Sequence, residues 1–147
     1  MEAAKKVIRK GVLINSTTER VWGVLTDNAL MAKWVSDDDI KINTSWEPQT
    51  PITFTGTWHH GAFNDHGIVL VFKKEKMLKY SYFSAISELP DLPENYLIIT
   101  FRLKTFDNET LLELTTENIT DHVTYGHWNF YWTVTLGIIK RLAEDLS

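Results

Sequence analysis

The sequence predicts an α+β fold: a curved antiparallel sheet wrapped around a long C-terminal helix, with two short helices after the first strand. Three observations carry that expectation. A capping signature near Ser16 precedes two brief helical runs. From Asp39 onward the apolar period changes from helical to alternating. From about Asp121 to Leu146 large apolar residues recur at three- and four-residue steps.

Taken in order, Lys5 to Ile14 mixes Val7, Ile8, Val12 and Leu13 with Lys and Arg, and reads as a strand. Ser16 followed by Glu19 is a capping box, in which the serine oxygen accepts an orphan amide while the carboxylate reaches back. Val21, Trp22, Val24 and Leu25 then take helical spacing until Asp27-Asn28 interrupts it. A second short helix, around Ala29 to Trp34, puts Leu30 and Trp34 on one face. Ile52, Phe54, Gly56 and Trp58 alternate with Thr53, Thr55, Thr57 and His59, the pattern of a half-buried strand. Gly67 to Phe72 is an apolar strand, Lys73-Lys74-Glu75-Lys76 its turn, and Met77 to Phe83 the return, with Leu78, Tyr80 and Tyr82 on one face. Prolines 90 and 93 make Ser87 to Asn95 a loop. Tyr96 to Phe106 and Thr110 to Asn118 form a hairpin about Asp107-Asn108-Glu109. In its first strand Leu97, Ile99, Phe101 and Leu103 oppose Thr100, Arg102 and Lys104, as in a sheet with one solvated face.

On the final helix Trp128, Trp132, Thr135, Ile139, Leu142 and Leu146 make one stripe, widened by Tyr131, Val134 and Ile138. Lys140 and Arg141 near its end complement the helix dipole. Gly137 costs a helix about 1 kcal/mol relative to Ala, which suggests close packing against a neighbour. No repeat, low-complexity stretch or linker divides the 147 residues, so one domain is expected.

Composition narrows the chemistry. The chain has no cysteine, which removes disulfides, thiolate nucleophiles and cysteine-based zinc sites. Its net charge is −4, and its densest basic cluster is Lys73-Lys74-Glu75-Lys76, a hairpin tip, so nucleic acid is not an expected partner. The first residues lack the apolar stretch of a signal peptide, and no run is long enough to span a membrane. The cytoplasm is therefore the expected compartment, and the sequons at Asn43, Asn108 and Asn118 read as chance. Six tryptophans mean bulky core or a roomy apolar pocket.

His59 and His60 would point to opposite faces of a strand, His122 and His127 lie off the spacing of a helical ligand pair, and His66 has only Asp65 beside it. Asp37-Asp38-Asp39 diverge in direction and read as a solvated loop. Glu113 and Glu117 alternate with Leu112 and Leu114, and so face solvent. No nucleophile elbow, phosphate loop or dinucleotide fingerprint occurs. No metal, cofactor or catalytic residue is expected.

The element order matches the helix-grip (START-like) fold, and several motifs narrow it. Glu19-Arg20-Val21-Trp22-Gly23-Val24-Leu25-Thr26-Asp27, then Leu30 to Trp34, resembles the opening of the heat-shock ATPase activator homologue-like family, within the START/SRPBCC (birch-pollen-allergen-like) superfamily. Gly67-Ile68-Val69-Leu70, Met77-Leu78-Lys79-Tyr80, Gly126-His127-Trp128 and Ile139-Lys140-Arg141-Leu142 resemble its later motifs. Thr50-Pro51-Ile52 departs from the Gly-Gly pair that many members carry there. The resemblance implies a cavity between the long helix and the sheet, often suited to apolar small molecules; a co-chaperone role belongs to a eukaryotic member with an additional domain. The favoured expectation is a binding module for a lipid-, sterol- or flavonoid-like molecule. Trp58, Tyr80, Tyr82, Phe101, Trp128, Trp132 and Thr135 are its candidate contacts, while Trp22 and Trp34 serve packing or the pocket rim. The alternatives are a module that binds a chaperone or other protein through its surface, and an enzyme, which would need a buried ionisable pair in the cavity.

Overall fold

The computed structural model describes residues 5–36, 39–58, 61–84 and 89–145, with only the backbone at position 58. Strand β1 (Lys6–Ile14) leads into helices α1 (Thr18–Thr26) and α2 (Asn28–Val35). Strands β2 (Ile40–Asn43), β3 (Pro51–Trp58), β4 (Gly61–Lys73) and β5 (Met77–Tyr82) follow. A short 3-10 turn, Pro93–Asn95, precedes β6 (Leu97–Phe106), β7 (Glu109–Ile119) and helix α3 (His122–Asp145). The strands form one seven-stranded sheet, ordered β1-β7-β6-β5-β4-β3-β2 and antiparallel throughout. The expected helix-grip architecture is what the chain adopts.

Several local expectations are corrected. The N-cap of α1 is Thr17, not Ser16: Thr17 Oγ1 accepts from the Arg20 amide at 3.2 Å. Ser16 is buried at the end of the β1–β7 ladder, where its carbonyl accepts from the Thr110 hydroxyl at 2.9 Å. That position in the ladder, fixed by the pairing Ile14↔Thr110, delays the helix by a residue. Asp27 does interrupt the helical run, and it serves both helices. Its amide closes α1 on Gly23 O at 2.9 Å, and its Oδ1 caps α2 through the Leu30 amide at 3.0 Å. On α2 the buried pair is Met31 and Trp34, with Leu30 only half-buried.

Strand β4 begins six residues before the expected Gly67, because its first half pairs with β3 from Trp58↔Gly61 to Pro51↔Ile68. Its second half pairs with β5, and the register slips between Val69 and Val71. Such an irregularity bends a strand and increases its twist. Inner-face burial of Ile99, Phe101 and Leu103 on β6 follows the predicted alternation, although Thr100 on the other face is buried too.

Helix α3 is capped by Asp121, whose Oδ1 accepts from the Thr124 amide at 2.8 Å. Its buried residues are Trp132, Thr135, Leu136, Ile139 and Ala143. Val134, expected on the stripe, is 47% exposed; the buried arc is centred on Leu136 and Ile139 instead. Leu146 lies outside the described residues. Lys140 and Arg141 precede the last turn and do not cap the dipole. The Lys140 ammonium instead donates to Leu13 O at 3.0 Å and pairs with Glu144, which accepts from the Asn15 amide at 2.8 Å. This clasp fixes the C-terminal half of α3 on the end of β1.

Two glycines behave oppositely. A Cβ on Gly67 would lie 1.8 Å from Ser81 O, so β4 and β5 approach there only because the side chain is absent. A Cβ on Gly137 would meet nothing within 4 Å, so the expected close neighbour is not found among the described residues. Gly67→Ala should therefore destabilise the fold by about 3 kcal/mol through backbone displacement. Gly137→Ala should stabilise it by up to about 1 kcal/mol through helix propensity. Urea unfolding of the two variants checks both signs.

Candidate functional site

At the centre of the molecule three rings meet. Trp34 of α2 lies 5.8 Å from Phe101 of β6 and 6.5 Å from Trp132 of α3, and Phe101 lies 5.7 Å from Trp132. Trp34 is fixed by its Nε1 donating to Val24 O at 2.9 Å. Beyond this cluster α3 stands away from the β3–β5 half of the sheet, and a cavity of about 360 Å³ lies between them. That size is at the lower end for small-molecule sites, roughly 300–1,000 Å³.

Each wall follows from a local pattern. Alternation on β5 and β6 turns Tyr80, Tyr82 and Ile99 inward. On β3 and β4 it brings Phe54 and Asp65 directly opposite one another, both buried. From α3 come Trp128, Tyr131 and Trp132, on one side of the helix at three- and four-residue steps. Trp128 packs 5.8 Å from Tyr82 and 5.2 Å from Tyr131. The Tyr131 hydroxyl donates to Val35 O at 2.7 Å, tying the helix to the end of α2.

The polar groups of this interior are few. Tyr82 donates its hydroxyl to Asp65 Oδ2. Burial, and next the Asp65 charge, push the Tyr82 hydroxyl well above its ordinary pKa; burial does the same for Tyr80, reinforced by Tyr131. Both phenols therefore stay neutral near neutral pH. Desolvating a carboxylate costs several kcal/mol, and a hydrogen bond to a charged group returns roughly 1.5–3 kcal/mol. The Tyr82 bond thus offsets part of the cost of placing Asp65 here. Trp132 Nε1 is buried without a hydrogen-bond partner among the described groups. A second cavity, of about 480 Å³, shares Tyr82, Ser84, His127 and Trp128 with the first and runs toward Asn118 and Asp121.

Of the seven candidate contacts, Tyr80, Tyr82, Trp128 and Trp132 line the first cavity. Phe101 packs against Trp34 and Trp132, and Thr135 is buried farther along α3; neither lines it. The side chain of Trp58 lies outside the described residues, as do His59, His60, Asp37 and Asp38. Trp34 lines the cavity, whereas Trp22 packs on Phe72 at 5.2 Å. Sequence reasoning missed Asp65, Phe63 and Tyr131 as lining residues. The spacing Phe63, Asp65, Gly67, Val69 carried the signal for the first two, but starting the strand at Gly67 hid it.

Outside the cavity, Glu113 faces outward and pairs with Lys104 at 2.8 Å. His66 is corrected: it points away from Asp65, and its Nε2 lies 2.9 Å from Asp91 Oδ2 and 3.0 Å from the Tyr96 hydroxyl. Tyr96 also donates to Asp91, so the three fasten the loop to β4. Among the described residues no group of three His, Asp or Glu is placed to hold a metal. No helix among the described residues is long and apolar enough to cross a membrane.

The Tyr96 bond, and secondarily His66, hold the Asp91 carboxyl below its ordinary pKa. Burial, then the Asp91 bond, push Tyr96 up to about 12. The depressed acid contributes stability above its unfolded pKa and loses it as pH falls through the folded value. The raised phenol contributes below its unfolded pKa and loses it as pH rises through about 12. Ultraviolet titration should find one tyrosine ionising near 12, moved partway toward the ordinary value by Asp91→Asn.

The family described as Activator of Hsp90 ATPase homolog 1-like protein matches residues 15–144. No curated protein matches the chain. A solution structure from Cytophaga hutchinsonii is similar at 28% identity and TM-score 0.84, covering 99% of this chain and 97% of that one. A crystal structure from Chromobacterium violaceum is similar at 18% identity and TM-score 0.80, covering 94% and 96%. The Aha1 dimer from Colwellia psychrerythraea is similar in fold at 21% identity and TM-score 0.72, covering 95% and 96%.

Proposed function

The chain belongs to the Activator of Hsp90 ATPase homolog 1-like family, a ligand-binding or co-chaperone-like fold, and on that premise we propose that it binds an apolar or aromatic small molecule without transforming it. The observation that carries this reading is the cavity of about 360 Å³ between the N-terminal half of α3 and the sheet, walled by Phe54, Tyr80, Tyr82, Trp128 and Tyr131. Ring faces and edges give apolar ligands contact area at low entropic cost. The fixed hydroxyls of Tyr82 and Tyr131 keep the cavity shape in place.

Two other readings each have one observation in their favour. Val123, Phe130 and Val134 on the outer side of α3 are 83%, 72% and 47% exposed, an apolar strip of the kind that marks protein interaction sites. The Colwellia relative is a dimer, and a second copy of this chain is one partner such a strip would accept. For an enzyme speaks the Asp65–Tyr82 pair, the buried ionisable pair that catalysis would require. With its pKa raised by burial, however, Tyr82 is a hydrogen-bond donor and a poor base near neutral pH, which suits an anchor better than a proton relay.

Native mass spectrometry against lipids, sterols and flavonoid-like aromatics should give a one-to-one complex with one class. Trp128→Ala, which truncates a half-buried wall residue, should weaken that complex about five- to tenfold. Phe130→Ser, on the outer side of α3, should leave it unchanged. An unliganded mass across the whole panel would move the weight to the surface-interaction reading.

A further inference from the structure

The two cavities beside the N-terminal half of α3 share a border and differ in character. Tyr82, Ser84, His127 and Trp128 line both. His127 is exposed, so both reach the surface beside it. An elongated molecule can pass there from one to the other without parting the core. The first cavity, of about 360 Å³, is walled chiefly by rings, and the second, of about 480 Å³, chiefly by polar residues.

Local structure sets the polar wall. Asn118 stands at φ 77°, a left-handed conformation that Asn tolerates. Its Nδ2 donates to Glu94 O at 2.9 Å and to Tyr96 O at 2.7 Å. Those bonds hold the loop before β6 against the end of β7, and they spend both amide protons, so the residue can offer its carbonyl oxygen as an acceptor. Thr124 gives its hydroxyl proton to Asp121 Oδ2 at 2.8 Å, and its oxygen too can only accept. The Thr120 hydroxyl and the Asn95 amide add groups that can donate. Glu94 and Asp121 are the acids of this wall, and among its described residues there is no Lys or Arg. Both oxygens of Asp121 are engaged by Thr124.

A carboxylate or phosphate only accepts hydrogen bonds and an ammonium only donates them, whereas a hydroxyl does both. A wall that mixes acceptors with donors therefore matches hydroxyls. Glu94, Thr120 and Asp121 are exposed, so a polar group seated among them keeps part of its water and is spared most of the cost of burial. The loop is already fastened by Asn118, which reduces the ordering that binding would require.

We propose that the two cavities are halves of one site, whose ligand joins an apolar ring system, held in the first, to an uncharged hydroxylated group, held in the second. The inference rests on the small-molecule reading above and adds to it the second half of the ligand.

Calorimetric titration of the intact chain with methoxynaphthalene, a naphthyl glucoside, naphthyl phosphate and naphthyloxyethylamine varies the polar group on one apolar body. The glucoside should bind one-to-one, roughly tenfold more tightly than methoxynaphthalene, and should be displaced by it. The phosphate and the amine should bind no more tightly than methoxynaphthalene. Thr124→Val keeps the side-chain shape and the amide bond to Asp121, and should cut the glucoside's advantage about threefold. A phosphate or amine that matches the glucoside overturns the proposal, as does simultaneous binding of glucoside and methoxynaphthalene, whether or not the variant folds. A folded Thr124→Val protein that retains the whole advantage overturns it as well. If methoxynaphthalene binds and the glucoside binds no more tightly, the second half of the site is lost and the small-molecule reading stands. If none of the four binds, that reading is lost, and the inference with it.

Discussion

The contact among Trp34, Phe101 and Trp132 is the constraint on which the rest of the structure depends. One ring comes from α2, one from the centre of the sheet and one from the middle of α3, and all three are buried. Aromatic pairs of this kind contribute roughly 0.5–1.5 kcal/mol each beyond the burial of their area. The cluster also fixes distance. Three bulky side chains hold the middle of α3 off the sheet, while the clasp of Lys140 and Glu144 draws its C-terminal half onto β1. A rigid helix held close at one end and propped in the middle leaves a wedge of space at the other. That wedge is the cavity.

The same geometry accounts for the composition of the cavity walls. A helix packed closely on a sheet favours branched or small residues, as Ile139 and Ala143 show where α3 meets β1 and α1. Where the spacing widens, only large side chains reach across, and there α3 carries Trp128, Tyr131 and Trp132. The abundance of tryptophan, ambiguous as composition, thus divides by location. Trp22 is core, Trp34 and Trp132 are prop and wall together, and Trp128 is wall.

Much of the fold was legible because its signals are local. Period-two alternation marked β5, β6 and β7, helical spacing marked α1 and α3, and Asp27 announced the break between the short helices. Errors arose where a distant partner decided the outcome. Ser16 lost the cap because the β1–β7 ladder holds it, and Val134 left the stripe because the arc that α3 buries is set by its neighbours. His66 found Asp91 across 25 positions rather than Asp65 beside it, since adjacent strand residues face opposite ways. The cavity was legible as a set of aromatic residues but not as a place. Phe101 and Thr135 lie on inward faces as expected, yet whether an inward face meets the cavity or another side chain depends on the separation of α3 from the sheet.

Strand β4 shows how one segment serves both fold and site. At Gly67 the backbone comes so close to Ser81 that no side chain fits, and the Ile68 amide donates to the Ser81 hydroxyl oxygen at 3.0 Å. Beyond this point β4 belongs to the packed half of the sheet through β5. Before it, the strand pairs with β3 and walls the cavity. Because side chains alternate, the residue two before the glycine must share its inward face, and that residue is Asp65. The close approach at Gly67 therefore fixes the direction of the carboxylate without specifying its chemistry. Another residue at position 65 would face the same interior on the same scaffold, so the fold can hold its shape while the nature of the ligand changes.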